Sequence, residues 1–380
     1  LMKIYYWAPF LSNIATVSSV IKSIESIKTY SKKSIEISII DSVGEWAKIQ
    51  EKTKNIKIIR LYNKSFFDKL PKGGILKSRL TQLFIFCFSF FKLLKLLKKN
   101  EPDYIVAHLI VSLPLTVMSF LHNKTKLIIR ISGLPRLNLL RKFYWTFFEK
   151  NIYKVSCPTI ATLEKFKSLK MFSQNKLALL YDPVLSPKEI LIKKKEEITL
   201  NLDQKKIIIA IGRLTTQKNF SFLLSAFALL KKKYPEYHLL ILGEGEERKK
   251  LEFIIDDLKL SKCVNLLGHK ENAYKYLKKA ECFILSSLWE DPGFVLLEAS
   301  YLNIPIIASN CPNGPREILQ DGLGGFLFNN NNKENFIEEF DNFFKSSKKD
   351  LKTKLIKSKI YTKKFTKFHH YLQIKKILDI

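Results

Sequence analysis

The sequence predicts an α/β protein built from two Rossmann-like, doubly wound parallel-sheet domains that face a cleft. Three observations lead to this fold class. Short β-branched segments alternate with longer helical patterns along both halves of the chain. The strand segments are apolar throughout, which is typical of strands buried on both faces of a parallel sheet. The length of 380 residues favours two domains over a single core.

Each half repeats the alternation in its own order. In the first half we predict strands at 3–7, 34–40, 55–62, 103–108 and 126–132, and helices at 15–26, 77–97, 113–121 and 137–153. In the second half we predict strands at 206–212, 237–243, 263–268, 282–287, 304–309 and 324–328, and helices at 221–234, 246–258, 273–279 and 295–301. Because ligands of such sheets bind at the carboxyl ends of the strands, we expect the functional residues there.

The segment 181–197 marks the predicted domain boundary. It interrupts the alternation with two prolines and a cluster of lysines and glutamates. We therefore place one domain at 1–185 and a second at 186–350. The lysine-rich residues 351–380 have a helical pattern. We expect this tail to pack back toward the first domain, and a solvated helical face is the alternative.

The charge of the chain is large and uneven. The formal charge is +30, and residues 1–185 carry +20 of it. Such a charge favours attraction to phosphate, in nucleotides, nucleic acid or anionic lipid. Lysine greatly outnumbers arginine, as in proteins of A/T-rich genomes, and this second explanation leaves net charge unable to assign a function by itself.

Cysteine usage and the first residues bear on the compartment. The five cysteines are scattered without a CxxC pair, which predicts reduced thiols and argues against a disulfide framework or a zinc site. Residues 1–13 lack the basic and apolar regions of a signal peptide and are typical of a first strand. We therefore expect a cytoplasmic protein.

The most membrane-like segment is 80–99. Its uncharged run, 80–91, is shorter than the about 20 residues of a spanning helix. Two interpretations stay open. The segment is either a buried helix, or a helix that lies on a membrane surface through its phenylalanines and flanking lysines.

The turn after the strand at 206–212 is the first candidate site. Gly212 allows a sharp turn, and Asn219 is positioned to cap the following helix. Arg213 and Lys218 flank that helix start, whose free N–H groups favour anions. This combination suits a diphosphate, although two ordinary surface cations would give the same spacing.

The segment WEDPGFVLLEAS is the second candidate site. Pro292 disfavours helical geometry at the residue before it and fits a first helical turn, so Glu290 is expected in a loop and Glu298 within a helix. Gly293 and Phe294 would present backbone amides at the helix start. This arrangement argues against a two-carboxylate glycosidase, whose carboxyls flank one bond. The alternative is a surface Glu290, with Glu298 capping the edges of the core.

Five segments of the second half together resemble the retaining glycosyltransferases of family 4, which have the GT-B fold. In order, they are GRLTTQKN, LGEGEERKKLE, EDPGFVLLE, SNCPNGPREIL and DGLGGFLF. The resemblance is strong over 207–328. It is weaker in the first half, where PDYIVAHL is similar to a family strand that ends in a histidine. It implies that the first domain binds the acceptor and the second binds a nucleotide-sugar.

The resemblance also implies roles for single residues. Arg213 and Lys218 match the cations that hold the donor diphosphate and stabilise the leaving nucleotide. Glu290 matches the glutamate beside the donor sugar at the reacting face. Glu298 matches the glutamate that accepts hydrogen bonds from the ribose. The catalytic set implied by the family is completed by His108, near the donor sugar.

Further donor contacts are expected from backbone positions. Gly293 and Phe294 match amides near the donor phosphates and sugar. Gly243 lies in a GxG turn that permits close approach of a ligand, a signal that is weak alone. The chain also departs from the family pattern. The loop after the first strand, APFLSNIAT, has no glycine, and Asp-Pro-Gly replaces a glycine-phenylalanine-glycine core.

From the residues and the resemblance we expect a retaining glycosyltransferase that needs no metal and no cofactor, because cations are present and no DxD motif is found. The expected donor is a UDP-hexose or UDP-N-acetylhexosamine. The expected acceptor is a lipid-linked or surface glycan in lipopolysaccharide or capsule assembly, and the charge of the first half favours contact with the inner face of an anionic membrane. The alternatives are a nucleotide-sugar epimerase on the same fold and a basic nucleic-acid-binding protein, which no nucleic-acid motif supports.

Overall fold

The computed structural model describes residues 1–11, 15–71, 75–133, 138–198 and 206–380. The chain forms two units. The first contains Leu1–Pro183 and Lys367–Ile380, and the second contains Val184–Thr366. Each unit is a parallel sheet with helices, so the predicted α/β class with two Rossmann-like domains is confirmed.

The first unit contains a seven-stranded sheet in the order β3-β2-β1-β4-β5-β6-β7, and all neighbouring strands are parallel. Its strands are β1 (Met2–Trp7), β2 (Ile35–Asp41), β3 (Lys57–Arg60), β4 (Tyr104–Ala107), β5 (Lys126–Arg130), β6 (Ile152–Cys157) and β7 (Leu177–Leu179). Its helices are α1 (Ala15–Tyr30), α2 (Ile75–Asn100), α3 (Ser112–Met118), α4 (Leu139–Phe147), α5 (Ile160–Leu169) and, from the end of the chain, α14 (Lys367–Ile377).

The second unit contains a six-stranded parallel sheet in the order β10-β9-β8-β11-β12-β13. Its strands are β8 (Lys206–Ile211), β9 (Tyr237–Leu242), β10 (Val264–Gly268), β11 (Cys282–Leu285), β12 (Ile306–Ser309) and β13 (Phe326–Phe328). Its helices are α6 (Pro187–Lys193), α7 (Phe220–Lys233), α8 (Arg248–Asp257), α9 (Tyr274–Leu277), α10 (Phe294–Tyr301), α11 (Pro315–Ile318), α12 (Lys333–Lys345) and α13 (Lys348–Thr362).

Two strands of the first sheet were not predicted from the sequence. The helix predicted at 137–153 is too long, because α4 ends at Phe147 and β6 begins at Ile152. No glycine or proline separates the two, so the aromatic pattern runs across the boundary. The second strand, β7, has only three residues and lies at the sheet edge. Such short edge strands carry little periodic signal.

The sheet cores explain why the strand segments are apolar throughout. In the first unit Ile4, Tyr6 and Trp7 of β1 are fully buried, because β1 lies between β2 and β4 in the middle of the sheet. In the second unit, Phe336 of α12 packs edge-on against Phe328 of β13, with 5.2 Å between ring centroids. Burying a large apolar side chain contributes roughly 1.5–3 kcal/mol.

Both strand orders contain a switch point. Connections run outward from β1 to β3 and then resume at β4 on the other side of β1; β8 and β11 stand in the same relation in the second sheet. The two loops that leave such a pair of strands diverge, and the crevice between them is where ligands bind in open α/β sheets. His108 directly follows β4, Lys218 follows β8 and Glu290 follows β11.

Helix α2 is longer than the uncharged run that predicted it. Among the described residues, Leu76–Asn100 is the one helix that is long and apolar enough, by length and composition, to cross a membrane. A single helix of this kind is weak evidence for a membrane span. Only 28% of its most apolar window is buried. Of the two interpretations of this segment, a fully buried helix is therefore wrong.

The C-terminal residues are helical as predicted. They belong partly to the second unit and partly to the first. Helix α13 belongs to the second unit, while Lys367–Ile380, with α14, belongs to the first. The predicted limits 1–185, 186–350 and 351–380 stay predictions about domains. The structure adds that residues 351–366 are part of the second unit.

A buried network of hydrogen bonds holds α14 in the first unit. His370 Nδ1 lies 2.6 Å from the carbonyl oxygen of Tyr181, and His370 Nε2 lies 2.8 Å from Ser23 Oγ. Because a carbonyl only accepts, Nδ1 carries the proton and Nε2 accepts from Ser23. The hydroxyls of Ser23 and Tyr6 are 3.0 Å apart and extend this hydrogen-bond network. Burial lowers the pKa of His370 to about 4, so this histidine is neutral at pH 7.

We predict an acid-dependent loss of stability through His370. Its pKa is lower in the folded protein than the ordinary value near 6.5, so the unfolded chain binds more protons and stability falls as the pH drops below 6.5, down to about pH 4. Between pH 6.5 and 5 the wild type should lose about 2 kcal/mol more than His370→Gln. Urea unfolding at both pH values, followed by tryptophan fluorescence, measures this difference. Equal losses in the two proteins would contradict the prediction.

Candidate active site

The turn after β8 positions Lys218. The chain turns at Gly212 and forms one short helical turn at Thr216–Lys218 before α7. The Lys218 stem lies directly over Gly212, because a Cβ atom on Gly212 would come within 2.9 Å of Lys218 Cε. Gly212 therefore provides the space through which Lys218 reaches the site.

Lys218, which is partly buried, forms an ion pair with the buried Glu290. The Lys218 ammonium donates to Glu290 Oε1, which also accepts from the hydroxyl of Ser287 at 2.6 Å. Glu290 lies in the loop after β11, as predicted, and is only 5% exposed. The alternative of a surface Glu290 is therefore wrong. Because a buried carboxylate without a partner is costly, Lys218 and Glu290 require each other in this place.

Three more hydrogen bonds fix the two loops against each other. Gln217 Nε2 donates to the carbonyl of Trp289 at 2.9 Å, and the amide of Leu288 donates to the carbonyl of Gln217 at 2.8 Å. The hydroxyl of Ser286 donates to the carbonyl of Lys218, also at 2.8 Å. The loops after β8 and β11 thus form one rigid structure at the switch point, and the ion pair lies inside it.

The loop after β12 supports Glu290 from its other side. The Glu290 amide donates to the carbonyl of Pro312 at 3.2 Å, and the hydroxyl of Ser309 donates to the carbonyl of Ser287 at 2.6 Å. Burial raises the pKa of the nearby Cys311 thiol to about 12. Cys311 therefore stays protonated and is a packing residue, with no thiolate for nucleophilic chemistry.

Glu298 lies on α10, as predicted, and is held by a residue that the sequence did not single out. The phenol of Tyr274 donates to Glu298 Oε1 at 3.0 Å. Burial and the Glu298 carboxylate raise the pKa of Tyr274, so the phenol keeps its proton and its donor role. Tyr274 is far from Glu298 in sequence and lies on the short helix α9, so no local pattern could have revealed it.

The start of α10 differs in detail from the prediction. Pro292 lies before the helix and outside its first turn, since α10 begins at Phe294 and Gly293 is its capping residue. Gly293 has a φ of +94°, which a residue with a side chain rarely adopts. The amides of Gly293 and Phe294 therefore stand at a helix start, where the backbone favours anions.

The structure explains why position 243 is a glycine, which the sequence alone did not show. Its φ is +146°, and a Cβ atom there would lie 1.8 Å from the carbonyl oxygen of Gly212. The close approach at Gly243 is thus made by the neighbouring turn of the protein itself. The amide of Gly212 donates to the carbonyl of Leu242 at 3.0 Å, which joins the ends of β8 and β9. Donor contact at Gly243 stays a prediction.

Asn219 does not cap α7 as we expected. It stands before Phe220 in a left-handed conformation, and its side chain forms no capping hydrogen bond. Instead its side-chain Nδ2 donates to Asn331 Oδ1 at 2.8 Å. The other cation of this loop, Arg213, is exposed. The structure thus brings Lys218 to Glu290 and leaves Arg213 at the surface of the turn.

His108 belongs to the first unit. Its amide donates to the carbonyl of Trp7 at 2.8 Å, across the switch point between β4 and β1. Burial, with the charge of Arg130, lowers the pKa of His108 well below its ordinary value. His108 is therefore a neutral imidazole at pH 7. The charge of Arg130 is compensated by Asp182, whose Oδ1 lies 2.9 Å from the guanidinium. Residues 12–14 of the glycine-free loop after β1 lie outside the described residues.

In the described ranges, no group of three or more His, Cys, Asp or Glu side chains is placed to hold a metal ion. Metal independence was expected from the cations and the missing DxD motif, and it stays a prediction.

The second unit thus presents Lys218, the exposed Arg213, two carboxylates and a helix start after the strands of its sheet. Such a set can hold an anion at Lys218 and the helix amides, and it can accept hydrogen bonds from hydroxyl groups at the carboxylates. The arrangement suits binding of a phosphorylated, hydroxyl-rich ligand.

Comparison with known proteins agrees with this interpretation. Residues 192–359 match the family described as Glycosyl transferases group 1. An uncharacterized glycosyltransferase of Methanocaldococcus jannaschii is 29% identical over 317 residues, which cover 76% of this chain and 78% of the relative. The N-acetylgalactosamine-N,N'-diacetylbacillosaminyl-diphospho-undecaprenol 4-alpha-N-acetylgalactosaminyltransferase of Campylobacter jejuni is 28% identical over 269 residues, 67% of this chain and 69% of the relative.

The fold is shared with a solved structure over the full length. The crystal structure of Anabaena HepE in complex with UDP has a TM-score of 0.76 at 15% identity, and the match covers 100% of each chain. At this identity the likeness concerns the fold. The predicted GT-B fold is confirmed. The family match over residues 192–359 lies within the second unit, and with the named relatives it shows that this part of the chain is similar to group 1 glycosyltransferases.

Proposed function

We propose that the protein is a retaining, family 4 glycosyltransferase that moves a hexose or N-acetylhexosamine from a UDP-sugar to a glycan acceptor. The observation that carries this proposal is the ion pair of Lys218 and Glu290 between the loops after β8 and β11. A fixed ammonium suits the diphosphate of such a donor, and a fixed carboxylate suits the hydroxyls of its sugar. The retaining outcome rests on the resemblance to family 4.

Lys218 and Arg213 are the proposed diphosphate ligands. When the bond between the sugar and the diphosphate breaks, negative charge develops on the leaving oxygen. Preorganised donors stabilise this charge best, because they need no reorganisation during the reaction. The amides of Gly293 and Phe294, at the start of α10, add to this field. These groups support a reaction without a metal ion.

The two glutamates hold different parts of the donor in this proposal. Glu290, fixed by Lys218 and Ser287, accepts hydrogen bonds from the sugar at the reacting face. Glu298, fixed by Tyr274, accepts hydrogen bonds from the ribose hydroxyls. His108 is neutral and would contribute a hydrogen bond near the sugar, without a charge.

The acceptor is proposed to be a lipid-linked or surface glycan in lipopolysaccharide or capsule assembly. The name of the Campylobacter jejuni relative refers to sugars carried on diphospho-undecaprenol. The basic first half of the chain agrees with an anionic, membrane-borne acceptor. We therefore propose a cytoplasmic enzyme at the inner face of the membrane. No observation described above specifically favours the epimerase or the nucleic-acid alternative.

Removal of the Lys218 charge should abolish most of the activity. We predict that Lys218→Ala lowers kcat roughly 10²–10³-fold, since one donor to the developing charge is lost. It should also destabilise the fold by about 3 kcal/mol, because Glu290 stays buried without its partner. Steady-state turnover with a panel of UDP-sugars and thermal unfolding measure the two effects.

The double variant Lys218→Ala/Glu290→Gln separates these effects. It removes both charges, so stability should recover toward the wild type while turnover stays low. Lys262→Ala, an exposed lysine of the same unit, is the matched control and should leave both quantities unchanged. Wild-type kcat in Lys218→Ala would contradict the assigned role.

Loss of the Tyr274 hydroxyl should weaken donor binding. We predict that Tyr274→Phe raises KM for the UDP-sugar roughly fivefold with kcat unchanged, because one hydrogen bond of about 1 kcal/mol no longer positions Glu298. Tyr361→Phe is the matched control. It removes a similar bond, from Tyr361 to Glu317 Oε1 at 2.8 Å, and should not change KM. Equal KM values for Tyr274→Phe and the wild type would argue against Glu298 as a ribose ligand.

The proposed metal independence has a direct test. Turnover in excess EDTA should stay within about twofold of the untreated enzyme, since Lys218 and the helix amides supply the positive field. A loss of activity that Mg²⁺ or Mn²⁺ restores would show that a metal takes part.

A further inference from the structure

The first unit contains a cavity of about 390 Å³ at the amino ends of β5, β6 and β7. These strands are parallel neighbours, so the three segments that precede them meet at one edge of the sheet. His108 follows β4, which is parallel to β5, and therefore lies at the opposite edge. The proposed function gives this cavity no role. We name it the amino-edge pocket and define it by Thr125, Lys126, Lys150, Lys154 and Lys176.

The amino-edge pocket is positively charged. Four lysines line it, and no aspartate or glutamate does so in the described part of the chain. The lysines come from the starts of three strands, unlike a run of lysines along one helix, which is an ordinary solvated face. Two of them have a carboxylate just outside the pocket. Asp379 Oδ2 lies 3.4 Å from Lys126 Nζ, and the Glu149 carboxylate interacts electrostatically with Lys176. The other two lysines therefore carry the net charge of the pocket.

These two lysines, Lys150 and Lys154, form no ion pair within the described ranges. The Lys154 ammonium donates to the carbonyl oxygen of Asn175 at 2.6 Å and lies 5.7 Å from the centre of the Tyr153 ring. Both contacts hold the ammonium beside the pocket, but neither supplies a negative charge. An ammonium has three N–H donors, so Lys154 keeps donors for an anion in the cavity. Lys150 is exposed and adds a second charge at the same cavity.

The pocket also contains a buried hydroxyl. Thr125 is only 7% exposed, and its Oγ1 makes no hydrogen bond in the part of the chain that the structure describes. The amide of the same residue is satisfied, because it donates to Asn123 Oδ1 at 3.2 Å. A buried hydroxyl without a partner is destabilising, and such groups are rare in folded proteins. At the wall of a cavity lined by lysines, this hydroxyl is placed to donate to an anionic oxygen.

We propose that the amino-edge pocket binds a phosphate group, as the free ion or as the ester of a small metabolite, through Lys150, Lys154 and the Thr125 hydroxyl. A phosphate monoester carries a charge of about −1.5 to −2 at pH 7, which offsets the two lysines that have no carboxylate. Its oxygens accept from both ammonium groups and from the hydroxyl. The cavity is within the roughly 300–1,000 Å³ of small-molecule sites. A nucleic acid would need an extended stripe of cations in place of a cavity.

Pyridoxal 5′-phosphate is a suitable probe of the full chain, because its aldehyde condenses with a lysine amine beside a bound phosphate and releases water. Borohydride reduces the resulting imine to a stable amine, and peptide mass spectrometry locates the label. Lys150 or Lys154 should be labelled about fivefold faster than Lys262, an exposed lysine of the second unit, because the pocket concentrates the anion.

Protection experiments identify the form of the ligand. Inorganic phosphate and glucose 6-phosphate should both slow this labelling, whereas glucose should not. The compound that protects at the lower concentration shows whether the free ion or the ester is the better ligand. Labelling of the pocket lysines no faster than of Lys262, or protection by neither phosphate compound, would overturn the inference.

Two variants test the residues by calorimetry with the better of the two phosphate compounds. Lys150→Gln/Lys154→Gln should weaken binding about tenfold, since two charge-assisted hydrogen bonds are lost. Thr125→Val keeps the shape of the side chain and should weaken binding about fivefold, through the loss of one donor. Lys262→Gln/Lys279→Gln removes the same charge from exposed positions of the second unit and should bind like the wild type. Unchanged affinity in the first variant would place the ligand elsewhere.

The donor site is read separately by thermal shift with UDP and UDP-sugars. Saturating UDP should leave the affinity of the phosphate compound unchanged, since Lys218 lies in the second unit and the amino-edge pocket in the first. Competition between the two would assign the phosphate to the donor site and overturn the inference. If UDP compounds give no shift in the wild type, the proposed function fails, whereas the labelling result still decides about the pocket.

Discussion

The second unit depends on one ion pair, between Lys218 and Glu290. The surrounding loops remove much of the water from both charges, and either charge without its partner would carry a large desolvation cost. The pair therefore fixes the loop after β8 against the loop after β11, and the hydrogen bonds of Gln217 and Ser286 follow from the same contact. This rigidity has a functional consequence. In the proposed function, a donor that enters the site would meet groups already in position, and preorganisation of that kind stabilises a leaving group.

The first unit uses buried polar groups in another way. His108 and His370 are both held neutral by burial, and Arg130 is neutralised by Asp182. The interior near the ends of β4 and β5 thus carries little net charge of its own. The positive charge of this half is carried instead by lysines and arginines at its surface. This division separates buried polar groups that hold the fold from cations at the surface of the same half.

The exposed apolar faces of α2 and α4 reverse the usual helical pattern. Most amphipathic helices bury their apolar side, whereas here large residues such as Leu140 and Phe143 are mainly in solvent. Such faces are costly unless a ligand, partner or membrane covers them. Because two arginines, Arg79 of α2 and Arg141 of α4, lie beside these faces, the surface differs from a hydrophobic core that merely lacks a covering element. It also explains why the segment 80–99 resembled both a buried helix and a membrane-surface helix in sequence, since it has the composition of the first and the exposure of the second.

The sequence by itself determined the alternation of strands and helices, the two parallel sheets, and the placement of Glu290 in a loop and Glu298 on a helix, because these depend on local periodicity and on the constraints of Pro292 and Gly293. Only the tertiary structure decided which groups meet. It paired Lys218 with Glu290 and Tyr274 with Glu298, and it filled the space at Gly243 with the backbone of Gly212. These contacts join residues that are distant in the chain. They depend on strand order, and strand order is set by packing across a whole sheet, which no local pattern records.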